Sequence, residues 1–503
     1  MSKTTNIING FRNAPPRADT TFESLRGLGY STATAIADII DNSIAAGASE
    51  IDIKFHWAEH ESYISIFDNG NGMSDNELES AMTIGIRSPS SHRAVQDLGR
   101  FGLGLKTASI SQCKRLTVAS KKNNSVSCLR WDLDVLASDP NLGWALLEGA
   151  AHSSAYLIDS LSNIDHGTLV IWENLDKIIT SRYTADDFLQ LIELNVVPHL
   201  SMVFHRIIFD KSKVLSIKVN GVELIGWDPF LLGHPSKAWT SPVQQQMTQN
   251  GPVQIQCHVL PHKDKLTTEQ YDVFGGPEGW NTQQGFYVYR NRRLLVAGGW
   301  LGLGHPRAWN REEPYKLARI RLDITNSADD DWKIDVRKST ARPPRALRPW
   351  LTQIAADTRS RAKSVFAHRG APQRRPNTGP QFLAWTAKHL KGGIRYEIDL
   401  NHPAISAVLD QAGELKVAVK AMLRVIEETV PVERIWLDTT ENSEPPQTNF
   451  RSESEETVSE ISEILFLDLI ERKGLSENDA KDVLLRTDPF QNFPEIINAL
   501  RRK

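Results

Sequence analysis

Cysteine is scarce in this chain: Cys113, Cys128 and Cys257 are far apart and odd in number among 503 residues. That excludes a disulfide scaffold and a zinc site built on paired cysteines, and it suits a reducing compartment. Long apolar runs are lacking as well. No stretch approaches the length of a membrane span, and the first residues form no hydrophobic signal region. The expectation is a cytoplasmic protein with no membrane partner. Neither sign of charge is in excess, since the formal net charge is −3 and the pI is near 6.6. A protein that coats nucleic acid over its whole surface is therefore excluded, and any such binding has to come from a local patch. What remains is an ordinary globular composition, long enough for about two to four domains.

Three short signatures stand in order between Ala35 and Ser109. The first is Ala-Ile-Ala-Asp-Ile-Ile-Asp-Asn-Ser (35–43). Ile36, Ile39, Ile40 and Ile44 recur at helical spacing and leave Asp38 and Asn42 four apart on another stripe, so one helix face presents a carboxylate and an amide together. The second, Phe-Asp-Asn-Gly-Asn-Gly-Met (67–73), follows the alternating run 63–67 and puts Asp68 where a strand ends and a glycine turn begins. The third, Gly-Arg-Phe-Gly-Leu-Gly-Leu-Lys-Thr (99–107), sets glycines before a helix start, with backbone N–H groups and a lysine able to meet phosphate. It is neither a dinucleotide fingerprint nor a P-loop, because no strand feeds it directly and no Lys-Ser/Thr closes it.

In this order the three signatures resemble the GHKL ATPases, the superfamily of gyrase B subunits, heat-shock chaperones, histidine kinases and MutL proteins. The resemblance implies an α/β fold: a GHKL (Bergerat) α/β sandwich ATPase domain, then a transducer-like α/β domain and a helical C-terminal region. It implies ATP and Mg²⁺ as cofactors. Asp38 takes the place of the general base that aligns the attacking water, and Asn42 that of the Mg²⁺ ligand. Asp68 would accept from the adenine amino group. Gly70, Gly72 and Met73 would shape the base pocket, and Gly99, Arg100, Phe101, Gly102, Leu103, Gly104, Leu105 and Lys106 would form the phosphate lid. Thr168, in Gly167-Thr168, resembles the last nucleotide contact of the superfamily. Most hydrolysing families have Glu where this chain has Asp38, which implies slow turnover. Ala45 stands where they often have Asp.

The remaining chain is read as follows. Residues 1–16 are polar and by themselves read as a disordered tail, while the resemblance implies the strap that related ATPases exchange across a dimer; 74–98 would be a mobile lid, from the loop chemistry of 87–92. Helices are expected over 20–29 and 188–196. Strands are expected over 51–57, 63–67, 116–120, 128–133, 169–172, 207–219, 254–260, 285–296 and 317–324. The run 285–295 resembles the transducer hairpin of MutL, gyrase B and especially MORC proteins. Within 331–339, Lys338, with Lys333 second, resembles the lysine that reaches the γ-phosphate.

From Arg337 to Arg375 there are eleven Lys or Arg against the single acid Asp357. Part of this segment, 346–367, reads as a basic helix able to track a DNA backbone. The expected domains are 1–185 (ATP-binding), 186–345 (transducer-like), 346–437 (basic helix and small module), 438–463 (acidic linker) and 464–503 (short helical tail, a surface for a partner protein). Within the small module one helix is expected from about 403 to 428. The favoured reading is an ATP-gated homodimeric clamp acting on DNA, most similar to MORC and its prokaryotic relatives, which are associated with restriction-type defence. A chaperone-like ATPase and a non-hydrolysing ATP switch are the alternatives.

Overall fold

The structure, a computed structural model, describes residues 16–85, 104–210, 212, 215–329, 331–334, 340–367, 382–390, 393–435 and 455–502. The chain divides into two compact units, Met1–Ala371 and Pro372–Lys503. The strap 1–15, the lid residues 86–103 and Lys338 lie outside the described residues.

Alternating apolar residues build the first layer of the larger unit. Strands β1 (Glu50–His56), β2 (Tyr63–Asp68), β3 (Arg115–Lys122), β4 (Ser125–Asp132), β5 (Leu147–Glu148), β6 (Gly167–Glu173), β7 (Ser216–Val219) and β8 (Val222–Glu223) form an eight-stranded sheet in the order β5-β4-β3-β6-β2-β1-β7-β8. Ile51, Ile53, Ile64, Ile66, Val118, Val170 and Trp172 all turn to one face. There they pack with Ile36, Ile39 and Ile40 of the helix Thr32–Ala45 and with Leu200 and Phe204 of the helix Val197–Ile208. The opposite face, with Ala119, Leu169 and Ile171, is covered by Leu161 of the 3₁₀ segment Ala155–Asn163. This is the expected α/β sandwich.

Its extent differs from the expectation. Residues 207–208 end a helix, and among the described residues of that range Ser216–Val219 extends, pairing in parallel with β1, so the first sheet draws on residues beyond 185. The continuous helix Ala185–Ile208 is long and apolar enough to be weighed as a membrane span, contrary to the reading that no stretch is. Phe188, Ile192, Val196, Leu200 and Phe204 are buried in the first core, which accounts for its apolar character.

Strands β9 (Trp239–Thr240), β10 (Gln244–Thr248), β11 (Gly251–Val259), β12 (Gly285–Arg290), β13 (Arg293–Ala297) and β14 (Ala318–Ile324) form a second sheet, β10-β11-β14-β12-β13, with β9 beside β11. Two-residue turn chemistry joins β12 to β13, because Asn291 and Arg292 have φ of 48° and 68°, as a primed hairpin turn requires. The basic helix Arg348–Ala367 packs Leu351, Ala355 and Ala362 into this second core and so belongs with it, rather than with the small module after it.

The smaller unit pairs β15 (Trp385–Leu390) with β16 (Gly393–Ile398). The helix expected from 403 to 428 is broken into Pro403–Gln411 and Lys416–Glu428, with Gly413 at φ 48° between them. The tail helices Glu455–Glu471 and Glu477–Leu484 share a core with Phe490 and Ile497, so helix begins inside the stretch read as an acidic linker.

One basic residue is not what its neighbourhood in sequence implies. Arg359 is only 6% exposed and lies over Trp300 at 4.5 Å, Trp309 at 4.6 Å and Tyr315 at 3.6 Å. It cannot meet a phosphate there, which corrects the reading of the whole segment as a DNA-facing run. A desolvated cation over aromatic rings is worth about 2 kcal/mol or more. Arg359→Ala should therefore lower stability by on the order of 2–4 kcal/mol, read from the urea midpoint. Lys363→Ala, at an exposed position, should stay within roughly 0.5 kcal/mol of wild type.

Candidate active site

The helix Thr32–Ala45 begins at a capping box, in which the Ser31 hydroxyl accepts from the Thr34 amide at 3.2 Å and the Ser31 amide donates to the Thr34 hydroxyl at 3.0 Å. Its isoleucines go into the core, and the carboxylates follow them inward. Asp38 is 4% and Asp41 1% exposed, whereas Asn42 is exposed. The Tyr30 hydroxyl donates to Asp38 Oδ2 at 3.0 Å, and Arg293 Nη2 lies 3.6 Å from Asp38 Oδ1. Arg293 Nε also donates to Asp41, at 3.2 Å to Oδ1 and 3.1 Å to Oδ2.

Strand register assembles the second group. Asp68 on β2 pairs with Thr168 on β6, which pairs with Ser120 on β3. Each has the parity of the core-facing residues on its strand, so the three form a polar row on the helix-covered face where β2 ends. Asp68 is buried; Oδ2 accepts from the Ser43 hydroxyl at 2.7 Å and Oδ1 from the Gly70 amide at 2.9 Å. Burial pushes the Asp68 carboxyl above its ordinary value, opposed by the hydrogen bonds from Ser43 and from the Gly70 and Thr168 backbone. An ionised carboxylate has about four lone-pair sites, so Asp68 retains acceptor capacity beside these donors. Ser120 Oγ accepts from the Met73 amide at 2.8 Å, donates to the Gly167 carbonyl at 3.0 Å and meets Thr168 Oγ1 at 2.9 Å.

Two glycines of the second signature are required by the space. Gly72 has φ 64°, and a Cβ there would fall 1.9 Å from the Lys121 carbonyl oxygen. At Gly70 a Cβ would come within 2.9 Å of Asp68 Oδ1, closing the approach to the carboxylate.

From the third signature the structure describes Gly104, Leu105 and Lys106. The helix Gly104–Ile110 starts against the helix Thr32–Ala45, since a Cβ on Gly104 would lie 4.0 Å from Asp38 Oδ2. Leu105 packs on the first core. The Lys106 ammonium is buried and donates to the carbonyls of Ala81 and Thr83, both at 2.9 Å, at the end of the helix Asp75–Met82. Gly99, Arg100, Phe101, Gly102 and Leu103 lie outside the described residues, as Lys338 does; Lys333 is exposed at φ 49°.

Sequence reasoning missed Tyr30, Asp41, Ser43, Ser120 and Arg293. Asp41 and Ser43 could have been found as inward positions of the same helix. Ser120 is an inward position of a strand otherwise lined by Leu116 and Val118. For Arg293 no local signal exists, because 252 residues separate it from Asp41. A further cavity of about 1000 Å³ reaches this network through Tyr30 and is lined also by Gln112, His199, Met202, Trp227 and Arg311. Burial, then the nearby Arg293, holds the His199 imidazole down at about 4, so it is neutral near pH 7.

Residues 30–168, from Tyr30 to Thr168, match the family described as histidine kinase-, DNA gyrase B- and HSP90-like ATPase. Similar curated proteins include ATPase morc-1 of Caenorhabditis elegans, 30% identical over 96 residues, and ATPase MORC2B of Mus musculus, 34% identical over 98 residues. Each alignment covers 19% of this chain, and 11% and 10% of those proteins respectively, so the chain spans about a tenth of the length of the relatives it matches.

Ser43→Ala tests the polar row. Asp68 must be ionised to act purely as an acceptor; burial already raises its pKa, and Ser43 is one of the bonds holding it down. Removing that bond should raise it further, so binding of an adenine nucleotide should fail at a higher pH on acidification than in wild type. Titration of a fluorescent ATP analogue between pH 4 and pH 8 checks this; coincident profiles would show that Asp68 does not govern binding.

Proposed function

We propose, for a chain that belongs to the GHKL ATPase superfamily through residues 30–168, that it is an ATP-dependent dimerising clamp of the MORC/MutL-like type that acts on DNA. The observation that carries this reading is the row Asp68-Thr168-Ser120 under a side-chain-free glycine turn, beside the buried carboxylate of Asp38.

The residues present fit an adenine nucleotide. Asp68 offers a buried acceptor to an exocyclic amine, Gly70 carries no side chain to crowd that carboxylate, and Gly72 lets the turn close on the Lys121 backbone. When bound, ATP supplies the phosphoanhydride to be cleaved, and Mg²⁺ neutralises its charge and prefers oxygen ligands. Asn42 would hold the metal with its exposed amide. Asp38 would orient the attacking water and take its proton. Its side chain is one methylene shorter than glutamate, and Tyr30 and Arg293 already engage its oxygens, which supports slow hydrolysis. Lys338, and the lid from Gly99 to Leu105, would complete the phosphate contacts, the Lys106 ammonium being engaged by the Ala81 and Thr83 carbonyls.

For DNA the support is narrower than the linear charge count suggests. Arg361 pairs with Asp357 at 2.9 Å and lies over Trp239, so among the described residues of the segment Arg342, Arg345 and Lys363 are exposed basic positions to test. Contact through phosphates alone is salt-sensitive and indifferent to sequence, with a slope of roughly 0.9 per phosphate neutralised.

Asp68→Asn should abolish ATP binding yet leave the apo melting temperature within a few degrees of wild type. A carboxyl whose folded pKa is raised contributes stability below its unfolded pKa and loses it as pH rises through the folded value, so the buried charge does not stabilise the fold near neutral pH. Asp38→Ala should bind ATP but lose roughly 10²–10⁴ in turnover; wild-type phosphate release would remove Asp38 as the base. Light scattering of the full chain with Mg²⁺ and a non-hydrolysable analogue should show a doubled mass that Asn42→Ala prevents; an unchanged monomer in wild type would sink the clamp. Charge reversal at Arg342, Arg345 and Lys363 should weaken all duplexes about equally and flatten the salt slope, and an unaltered slope would remove this surface as the DNA contact.

A further inference from the structure

The hairpin turn at Asn291 and Arg292 delivers Arg293 as the first residue of β13. Its neighbours are pinned, Arg290 by Asp329 and Arg292 by Asp210. Arg293 itself is 3% exposed, and its planar fork is held along its length. Nε reaches both oxygens of Asp41, Nη1 donates to the Leu294 carbonyl at 2.8 Å, and Nη2 is left facing Asp38 Oδ1 at 3.6 Å. A rigid guanidinium fixed at Nε and Nη1 has no freedom in where it places Nη2. The other oxygen of Asp38 is bound by Tyr30, from the first domain. The carboxylate is therefore located from two sides, one of them on the second sheet.

We infer that Arg293 is a positioning residue for the hydrolytic carboxylate, through which the placement of the second domain sets the rate of turnover. The inference rests on the reading of Asp38 as the water-orienting group. It differs from a plain structural ion pair in what it demands: losing the guanidinium must alter the chemical step while leaving nucleotide binding alone, because Asp68 is held by Ser43 and Gly70 and Arg293 by Asp41 and Leu294, with no hydrogen bond joining the two.

The full chain should be assayed as wild type, Arg293→Gln, Arg293→Lys, Asp41→Asn and Asp38→Ala, with phosphate release for kcat and KM, a fluorescent ATP analogue for Kd, and thermal melting for folding. Arg293→Gln is expected to lower kcat at least tenfold with Kd within twofold of wild type and a cooperative melt. Arg293→Lys, which keeps the charge but not the fork, is expected to restore part of kcat. If Arg293→Gln does not melt cooperatively, Asp41→Asn decides in its place: it loosens the anchor of Nε and should lower kcat at unchanged Kd. Wild-type kcat in Arg293→Gln, or in Asp41→Asn where that variant decides, overturns the inference, as does a loss of kcat and nucleotide affinity in equal measure. Inactive Asp38→Ala beside fully active Arg293→Gln overturns the positioning role alone; active Asp38→Ala overturns the reading beneath it as well.

Discussion

Two carboxylates one helical turn apart, both withdrawn from water, are a costly arrangement unless a cation reaches them. Asp38 and Asp41 are in that position, and Arg293 is a cation that reaches both. The requirement is reciprocal, since a buried guanidinium without its acids would be equally unfavourable. Much of the larger unit can be understood as the means of bringing these groups together. The helix Val197–Ile208 gives Leu200 and Phe204 to the first core, while Met202 packs beside Tyr287, Tyr289 and Leu294 of the β12–β13 hairpin. Arg206 from the same helix bonds Asp323 at 2.5 Å and lies 4.6 Å over the Tyr289 ring. One amphipathic element thus holds the hairpin that carries Arg293 against the layer that carries Asp38.

The site divides into the polar row of Asp68, Thr168 and Ser120 and the buried carboxylate pair of Asp38 and Asp41. Asp68, Thr168 and Ser120 are set by the register of three neighbouring strands, which is rigid because a slip of one residue would turn every core side chain outward. Asp38 depends on a side chain from another sheet. The first part is preformed by local pairing, whereas the second responds to how two layers are docked.

Charge shows the same contrast between order in the chain and order in space. The run from Arg337 to Arg375 looks like a uniform basic surface in sequence, yet Arg359 lies under three aromatic rings and Arg361 is paired and stacked. A twenty-residue helix has an inner and an outer side, and its cations divide between them. Lys106 departs from its motif in a similar way: it follows a phosphate-type glycine loop, but its ammonium closes the end of the helix Asp75–Met82.

What the sequence determined by itself is whatever depends on near neighbours. The isoleucine spacing makes the Asp38 helix, alternation makes the strands around Asp68, Gly72 marks a turn only glycine can take, and Asn291-Arg292 closes a hairpin. The order of the three signatures then carried the family, because that order reflects one arrangement of helix, strand end and loop. Only the tertiary structure decided the rest. It placed β7 in the first sheet from beyond residue 185, broke the helix expected over 403–428 at Gly413, buried Arg359, turned Asp41 inward and brought Arg293 to it across 252 residues. Pairings of that kind leave no periodicity behind, since the partner of a buried charge is chosen by how two layers pack and not by its distance along the chain.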